Sequence, residues 1–167
     1  ENTNDMDGIT RVEPGLSGPG NVTIDGQGEW LRNLSFLQSL VSISNSLSIK
    51  NNTHLVSLDG LSNLTTIGGR FHIDNNDELL SLNGIDNLNS VGAIQITSND
   101  KLLSIVKLSS VTSIESEINI SNNQILNDGQ SLTDLDVSNG EYILQLLLGF
   151  ETPDRIPINI TDNRITI

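Results

Sequence analysis

A repeat of about 24 residues runs through most of this 167-residue chain and constrains its fold more than any other feature. Each copy ends in an apolar–any–apolar triplet followed by an Asn-rich turn, as in LVSLDGLSNLTTIGGRFHIDNND and LLSLNGIDNLNSVGAIQITSND. A fixed period of this length is typical of a solenoid, because one copy cannot bury its apolar side alone and must stack on the next. The sequence therefore predicts a coil of stacked repeats.

The triplets set the register of the predicted coil. Their last apolar residues follow one another at steps of 25, 24, 23, 24 and 40 positions: Ile24, Ile49, Ile73, Ile96, Ile120 and Ile160. Alternation places both apolar residues of a triplet on one side of a strand and the middle residue on the other. We therefore predict an all-β fold, a right-handed parallel β-helix of about six rungs over residues 21–167, preceded by a leader or linker at residues 1–20. The long step predicts an insertion at about 124–157.

A second apolar series precedes each triplet at a spacing of three. One copy has Leu58, Leu61, Leu64 and Ile67, and the next has Leu82, Ile85, Leu88 and Val91. Interrupting glycines prevent a helical stripe of three turns, so the series predicts short strands and turns that face one interior.

The insertion is different, because GEYILQLLLGF is apolar nearly all round. It predicts a short helix that is buried on the flank of the coil or against a partner. The candidate protein-contact residues within it are Tyr142, Leu146, Leu147 and Phe150.

Asparagine recurs in the turn after every triplet but the first, at 51–52, 75–76, 99, 122–123 and 163. Asn tolerates left-handed backbone and can bond the backbone groups of a turn. A buried amide left unpaired costs about 1–3 kcal/mol, and a ladder in which each amide bonds the next rung avoids that cost. We therefore predict a structural ladder in which Asn75 and Asn76 differ in burial.

Together these features resemble the receptor L domain repeat, and the segments SLDGLSNLTTIGG and SLNGIDNLNSVGA are most similar to its bacterial surface versions. The resemblance covers about residues 34–123, with outlying rungs near 22 and 158. It implies an L-domain-like, leucine-rich-type solenoid in a secreted or surface protein. It also implies a binding or scaffolding role without catalytic residues.

Charge and composition limit the classes of molecule that the chain is expected to bind. A net charge of −13 argues against nucleic acid and anionic lipid, because nothing offsets the repulsion between like charges. The sequence contains no apolar stretch of about 18 residues, so we predict no membrane-spanning segment. We expect an extracellular or cell-surface module that recognises a protein or a surface polymer and has no cofactor. Surface Ca²⁺ stays open. A helix–loop–helix calcium loop that began at Asp134 would need Gly at its sixth position and an acid at its twelfth, where the chain has Asn139 and Gln145, so the segment at 134–141 does not match.

Two stacked columns make up the predicted binding face. The middle residues of the triplets are Thr23, Ser48, His72, Gln95 and Asn119, and the residues after the triplets include Lys50, Asp74 and Thr97. Asp25, Lys50 and Asp74 would stack as minus, plus, minus, which is a favourable cross-strand arrangement. Because Lys50 would keep both carboxylates ionised, we predict no catalytic residues and no enzyme.

Two other functions remain alternatives. Unpaired strand edges at the ends of a solenoid would allow self-association as the subunit of an extracellular filament or surface layer. A polysaccharide-active β-helix enzyme would need Asp25, Asp74 and His72 to act as an acid–base group.

Stacking of sugars on aromatic side chains has little support from so few aromatics. Columns of Ser and Thr, which ice-binding solenoids also have, are interpreted as solvated turns.

Asparagine sequons mark candidate glycosylation sites: Asn21, Asn33, Asn63, Asn119 and Asn159. Asn119 and Asn159 are the middle residues of their triplets and are predicted to point outward.

Overall fold

Each triplet of the repeat forms a β-strand that pairs with the triplet one repeat away. The computed structural model describes residues 9–10, 20–26, 31–124, 126 and 158–161. Its strands are β1 Ile9–Thr10, β2 Val22–Asp25, β3 Ser42–Ile43, β4 Leu47–Lys50, β5 Thr66–Asp74, β6 Ser90–Thr97, β7 Ser113–Ile114, β8 Ile118–Ser121 and β9 Ile158–Thr161. Two 3₁₀ segments lie at Ser35–Leu37 and Val106–Ser110, and the described residues contain no α-helix.

The strands form one sheet in the order β1-β2-β4-β5-β6-β8-β9, with β3 paired to β5 and β7 to β6. All pairs are parallel except β1–β2. Ile73 lies opposite Ile49 and Ile96, which confirms the predicted step of one repeat between neighbouring strands. The fold is all-β, and the parallel sheet belongs to a β-solenoid of about four turns. The predicted helical insertion lies outside the described residues.

Both apolar series point into a single core. Phe71 and Ile73 are completely buried, as their triplet predicts. The series at spacing three is buried as well, but it forms successive tight turns: the Leu61 N–H donates to the Leu58 carbonyl, and the Leu64 N–H donates to the Leu61 carbonyl. A turn per three residues explains why this spacing does not produce an α-helix.

The Asn ladder, which we define as Asn52, Asn76, Asn99 and Asn123, is buried beside this core. In each step one Oδ1 accepts both the backbone N–H and the side-chain Nδ2–H of the previous ladder residue, at 3.0–3.2 Å for the bonds from Asn52 to Asn76. The residue before each ladder position has left-handed backbone, with φ of 55° at the exposed Asn75. This difference between Asn75 and Asn76 confirms the predicted ladder.

A column of glycines lets β5 and β6 bend around a corner of the coil. We call Gly68, Gly69 and Gly92 the glycine corner. A Cβ on Gly68 would lie 2.2 Å from the Ser44 carbonyl oxygen, so the backbones of neighbouring turns approach too closely for any side chain. The pairing of β5 with β6 shifts register between Ile67 and Arg70, at this corner. The missing side chains leave open space outside the corner, beside the candidate site.

Candidate functional site

The predicted binding-face residues lie on one side of the parallel sheet. We call this surface the polar face. Its first column pairs in register as Thr23, Ser48, His72, Gln95 and Asn119, and its second as Asp25, Lys50, Asp74 and Thr97. All nine side chains are half-buried. Because strand pairing holds each column in register, the structure brings together residues that lie about 24 positions apart in sequence.

Lys50 lies between two carboxylates in register but forms an ion pair with one of them. Its Nζ is 3.3 Å from Asp25 Oδ2. Asp74, opposite Lys50 on β5, instead accepts a hydrogen bond of 2.5 Å from the Thr97 hydroxyl on β6. Each charged side chain of the second column is therefore held by a side chain on an adjacent strand. A partly exposed ion pair of this kind contributes little stability, so its main effect is to orient the side chains.

His72 is a half-buried titratable group in the first column of the polar face. Its Nδ1 lies 3.3 Å from the Ser48 hydroxyl, and its buried Nε2 has no hydrogen-bond partner. Burial lowers the pKa of His72 from its ordinary value; nearby Asp74 opposes this shift, while Arg70 and Lys50 add to it. The imidazole is therefore neutral near pH 7, with one nitrogen that forms no hydrogen bond.

A groove of about 600 Å³ runs beside the first column, outside the glycine corner. Its lining comprises Asn21, Thr23, Ser46, Ser48, Gly68, Gly69, Arg70, His72, Gly92, Ala93, Glu115 and Ser116. The Arg70 guanidinium spans two strands here: it donates to Gln95 Oε1 at 2.8 Å and lies 2.5 Å from Glu117 Oε1.

Sequence reasoning placed His72, Thr23 and Ser48 on the predicted face but did not identify this groove. Arg70 and Glu115 were not among the predicted site residues. The signal that would have indicated the groove is the alignment of Gly68–Gly69 with Gly92 one repeat later.

A second surface feature was also missed. We call Val56, Leu80 and Leu103 the apolar ridge, because they occupy the same position in three consecutive repeats and are 43%, 47% and 45% exposed. The Leu103 N–H donates to the Leu80 carbonyl at 2.9 Å, so the two residues lie on adjacent turns. Each follows a fully buried leucine. The predicted protein-contact residues Tyr142, Leu146, Leu147 and Phe150 lie outside the described residues.

The sequons differ in their surroundings. Asn21, Asn33 and Asn63 are exposed, whereas Asn119 is half-buried and accepts a hydrogen bond from the Ser121 hydroxyl. Asn63 Nδ2, the atom that a glycan would take, donates to the Gln38 carbonyl at 2.7 Å. Glycosylation at Asn63 would therefore replace one donor hydrogen of that amide. The side chain of Asn159 lies outside the described residues.

Within the part of the chain that the structure describes, no group of three or more His, Cys, Asp or Glu side chains is arranged to hold a metal ion. Over the same residues, no helix has the length and apolar character needed to cross a membrane. The candidate calcium segment at 134–141 lies outside that part.

A scan against protein-family models, a search of curated proteins and a search of solved structures each find no match to this chain.

Proposed function

We propose that this chain is an extracellular or cell-surface module that binds a protein or a surface polymer through its polar face, without catalysis. In this proposal the chain is a right-handed, L-domain-like solenoid of about six rungs. The observation that carries the proposal is the in-register alignment of polar side chains across five parallel strands, β2, β4, β5, β6 and β8.

The arrangement suits binding because the side chains are already held in place. Ser48 contacts His72, Thr97 donates to Asp74, and Lys50 pairs with Asp25. Side chains fixed before binding lose less conformational entropy when a partner contacts them. A flat array of hydrogen-bonding groups makes weak contacts individually, and repetition along a surface can convert weak contacts into firm attachment.

The same geometry supports a non-catalytic role. A glycoside hydrolase needs two carboxyl groups on either side of the bond it cleaves, with one of them kept protonated as the acid. Here Lys50 lies in register between Asp25 and Asp74. His72 is the remaining candidate acid, and burial lowers its pKa and so disfavours the protonated form.

The test compares two variants that add the same positive charge at different places. Thr97→Lys changes the polar face, whereas Thr112→Lys changes an exposed position outside it. Parent and variants would be immobilised and presented with an array of purified extracellular proteins and wall polysaccharides. We expect the parent and Thr112→Lys to retain the same ligand, and Thr97→Lys to retain it about tenfold less well.

Three results would contradict the proposal. One is the absence of any retained ligand, and another is equal retention by Thr97→Lys and the parent. The third is cleavage of a polysaccharide that disappears in Asp74→Asn, which would establish the enzyme instead. Light scattering separates the filament alternative, since a filament subunit grows in mass with concentration whereas a monomeric module stays near 18.1 kDa.

A further inference from the structure

We propose that the groove beside the polar face binds a short segment of a neutral oligosaccharide, laid across the turns of the coil. This inference rests on the proposed binding function and names the ligand class that one part of the surface takes. Four properties of the groove carry it: its length, its glycine floor, its lack of an unpaired cation and the unpartnered nitrogen of His72.

The groove is long and shallow. Its lining comes from five consecutive sequence repeats, beginning at Asn21 and ending at Ser116. With about 4.8 Å between adjacent parallel strands, the four spacings between five strands span about 19 Å. A volume of about 600 Å³ lies within the range of small-ligand sites. An extended chain fits this shape better than a single compact molecule does.

The floor of the groove is bare backbone. Gly68, Gly69 and Gly92 line it together with Ala93. The three glycine positions are too crowded for a larger residue; for example, a Cβ on Gly92 would lie 2.7 Å from the Gly68 carbonyl oxygen. The floor therefore stays flat, and a sugar ring can approach the main chain closely.

The rim is polar and carries no unpaired cation. Hydroxyl and amide groups come from Asn21, Thr23, Ser46, Ser48 and Ser116. The single cation among the lining residues, Arg70, is already paired with Glu117 at 2.5 Å, and His72 is neutral near pH 7. Glu115 is the other charged residue of the lining. A site of this kind, on a chain of net charge −13, disfavours an anionic polymer. It favours a ligand that carries many uncharged hydrogen-bonding groups.

His72 adds a specific requirement. Its Nε2 is buried without a partner, so the site holds one unused donor or acceptor. A hydroxyl can both donate and accept, and it therefore satisfies the nitrogen in either tautomer of the ring. Because the nitrogen is covered, a ligand hydroxyl reaches it only through a shift of neighbouring side chains.

The lining contains no Phe, Tyr or Trp, so sugar rings gain no stacking energy there. Binding of one short segment would rest on hydrogen bonds and be weak, and a long polymer would add affinity by occupying many copies of the protein on a surface. The measurement must therefore detect millimolar binding.

The test is an NMR titration of the ¹⁵N-labelled protein with cellotetraose, laminaritetraose, mannotetraose and chitotetraose, and with tetragalacturonic acid as the anionic probe. We expect at least one neutral probe to shift the amide signals of Gly69, Gly92 and Ser116, and the anionic probe to leave them unchanged. Ser116→Phe, which fills the groove, should weaken binding about tenfold. Ser113→Phe, an exposed position outside the lining, should bind like the parent.

The inference is overturned if no neutral probe shifts the groove signals at millimolar concentration, if tetragalacturonic acid binds as well as the neutral probes, or if Ser116→Phe binds like the parent. Its failure is distinguishable from failure of the proposed function. A chain that retains an array ligand in a Thr97-dependent manner, yet shows no groove shifts, keeps the binding function and loses only the oligosaccharide site.

Discussion

At the scale of single residues, the turn after each strand divides two tasks between adjacent positions. The first residue, such as Asn75, takes left-handed backbone and stays exposed, and the second, such as Asn76, turns inward. Asn76 Nδ2 donates to the Ile49 carbonyl at 3.0 Å and to the Asp74 carbonyl at 3.1 Å. One amide thus bonds backbone groups on two turns, so its own polar atoms are satisfied, which is why an inward polar residue is tolerated beside an apolar core.

Replacing Asn76 by alanine should destabilise the fold. The change removes the acceptor for the buried Asn52 N–H and one donor to the Ile49 carbonyl, and a buried group left unpaired costs about 1–3 kcal/mol. Urea unfolding followed by circular dichroism measures the loss. Asn45→Ala, at an exposed position, is the control and should stay within about 0.5 kcal/mol of the parent. Equal stability of both variants would contradict the structural role of the ladder.

The enclosed His72 predicts a dependence of stability on pH. Because burial lowers the pKa of His72 in the folded chain, the unfolded chain binds a proton first as pH falls through about 6.5. The free energy of unfolding should therefore decrease from about pH 7 downward until the folded pKa is passed. His72→Gln should show a smaller decrease over that window, measured by unfolding at several pH values. Parallel curves for variant and parent would show that His72 does not titrate differently in the two states.

At the scale of elements, β5 and β6 differ from the other strands in length. β5 has nine residues and β6 eight, whereas β4 and β8 have four each. The longer strands continue through the glycine corner, and the register shift there absorbs the extra residue of β5. The corner thus joins two parts of the sheet and leaves the groove between the polar face and the next side of the coil.

Gly68→Ala should disrupt this corner. The new Cβ would lie 2.2 Å from the Ser44 carbonyl oxygen, and overpacking against backbone costs about 1–3 kcal/mol or more. Gly20→Ala is the matched control, because nothing lies within 4 Å of its Cβ position and its φ is not left-handed. That variant should be neutral or up to about 1 kcal/mol more stable. Thermal unfolding compares the two, and a stable Gly68→Ala would mean that the turns are not so closely spaced.

At the scale of the whole molecule, the stability of each turn depends on the turns stacked on either side of it. Each turn of a solenoid contacts its neighbours alone, so stability is approximately a sum of local and nearest-neighbour contributions. The core of stacked leucines and isoleucines and the Asn ladder both run through consecutive turns. A turn in the middle is held from both sides by complete neighbours.

Hydrogen exchange should reflect this gradient. Amides of β5 and β6, such as Ile73 and Ile96, should exchange most slowly, and those of β2 and β8 faster, because opening of a solenoid begins near its ends. Mass spectrometry or NMR of the native protein in deuterated buffer measures the order. Uniform protection along the chain would indicate one cooperative unit, and slowest exchange in β2 would contradict the gradient.

The sequence alone determined the stacking of this protein. The 24-residue period is sufficient to pair Ile73 with Ile49 and Ile96, to place Phe71 inside and to separate Asn76 from Asn75. These features depend on contacts between equivalent positions of neighbouring repeats. Aligning the repeats in the sequence identifies those positions directly.

Only the tertiary structure decided the shape and chemistry of the surface. The groove depends on how sharply β5 and β6 bend at Gly68, and the enclosure of His72 depends on which side chains cover it. Likewise, the position of Lys50 between Asp25 and Asp74 does not say which carboxylate it pairs with, and the structure pairs it with Asp25. Such features depend on backbone curvature and side-chain rotamers, which vary within a repeat without changing its period.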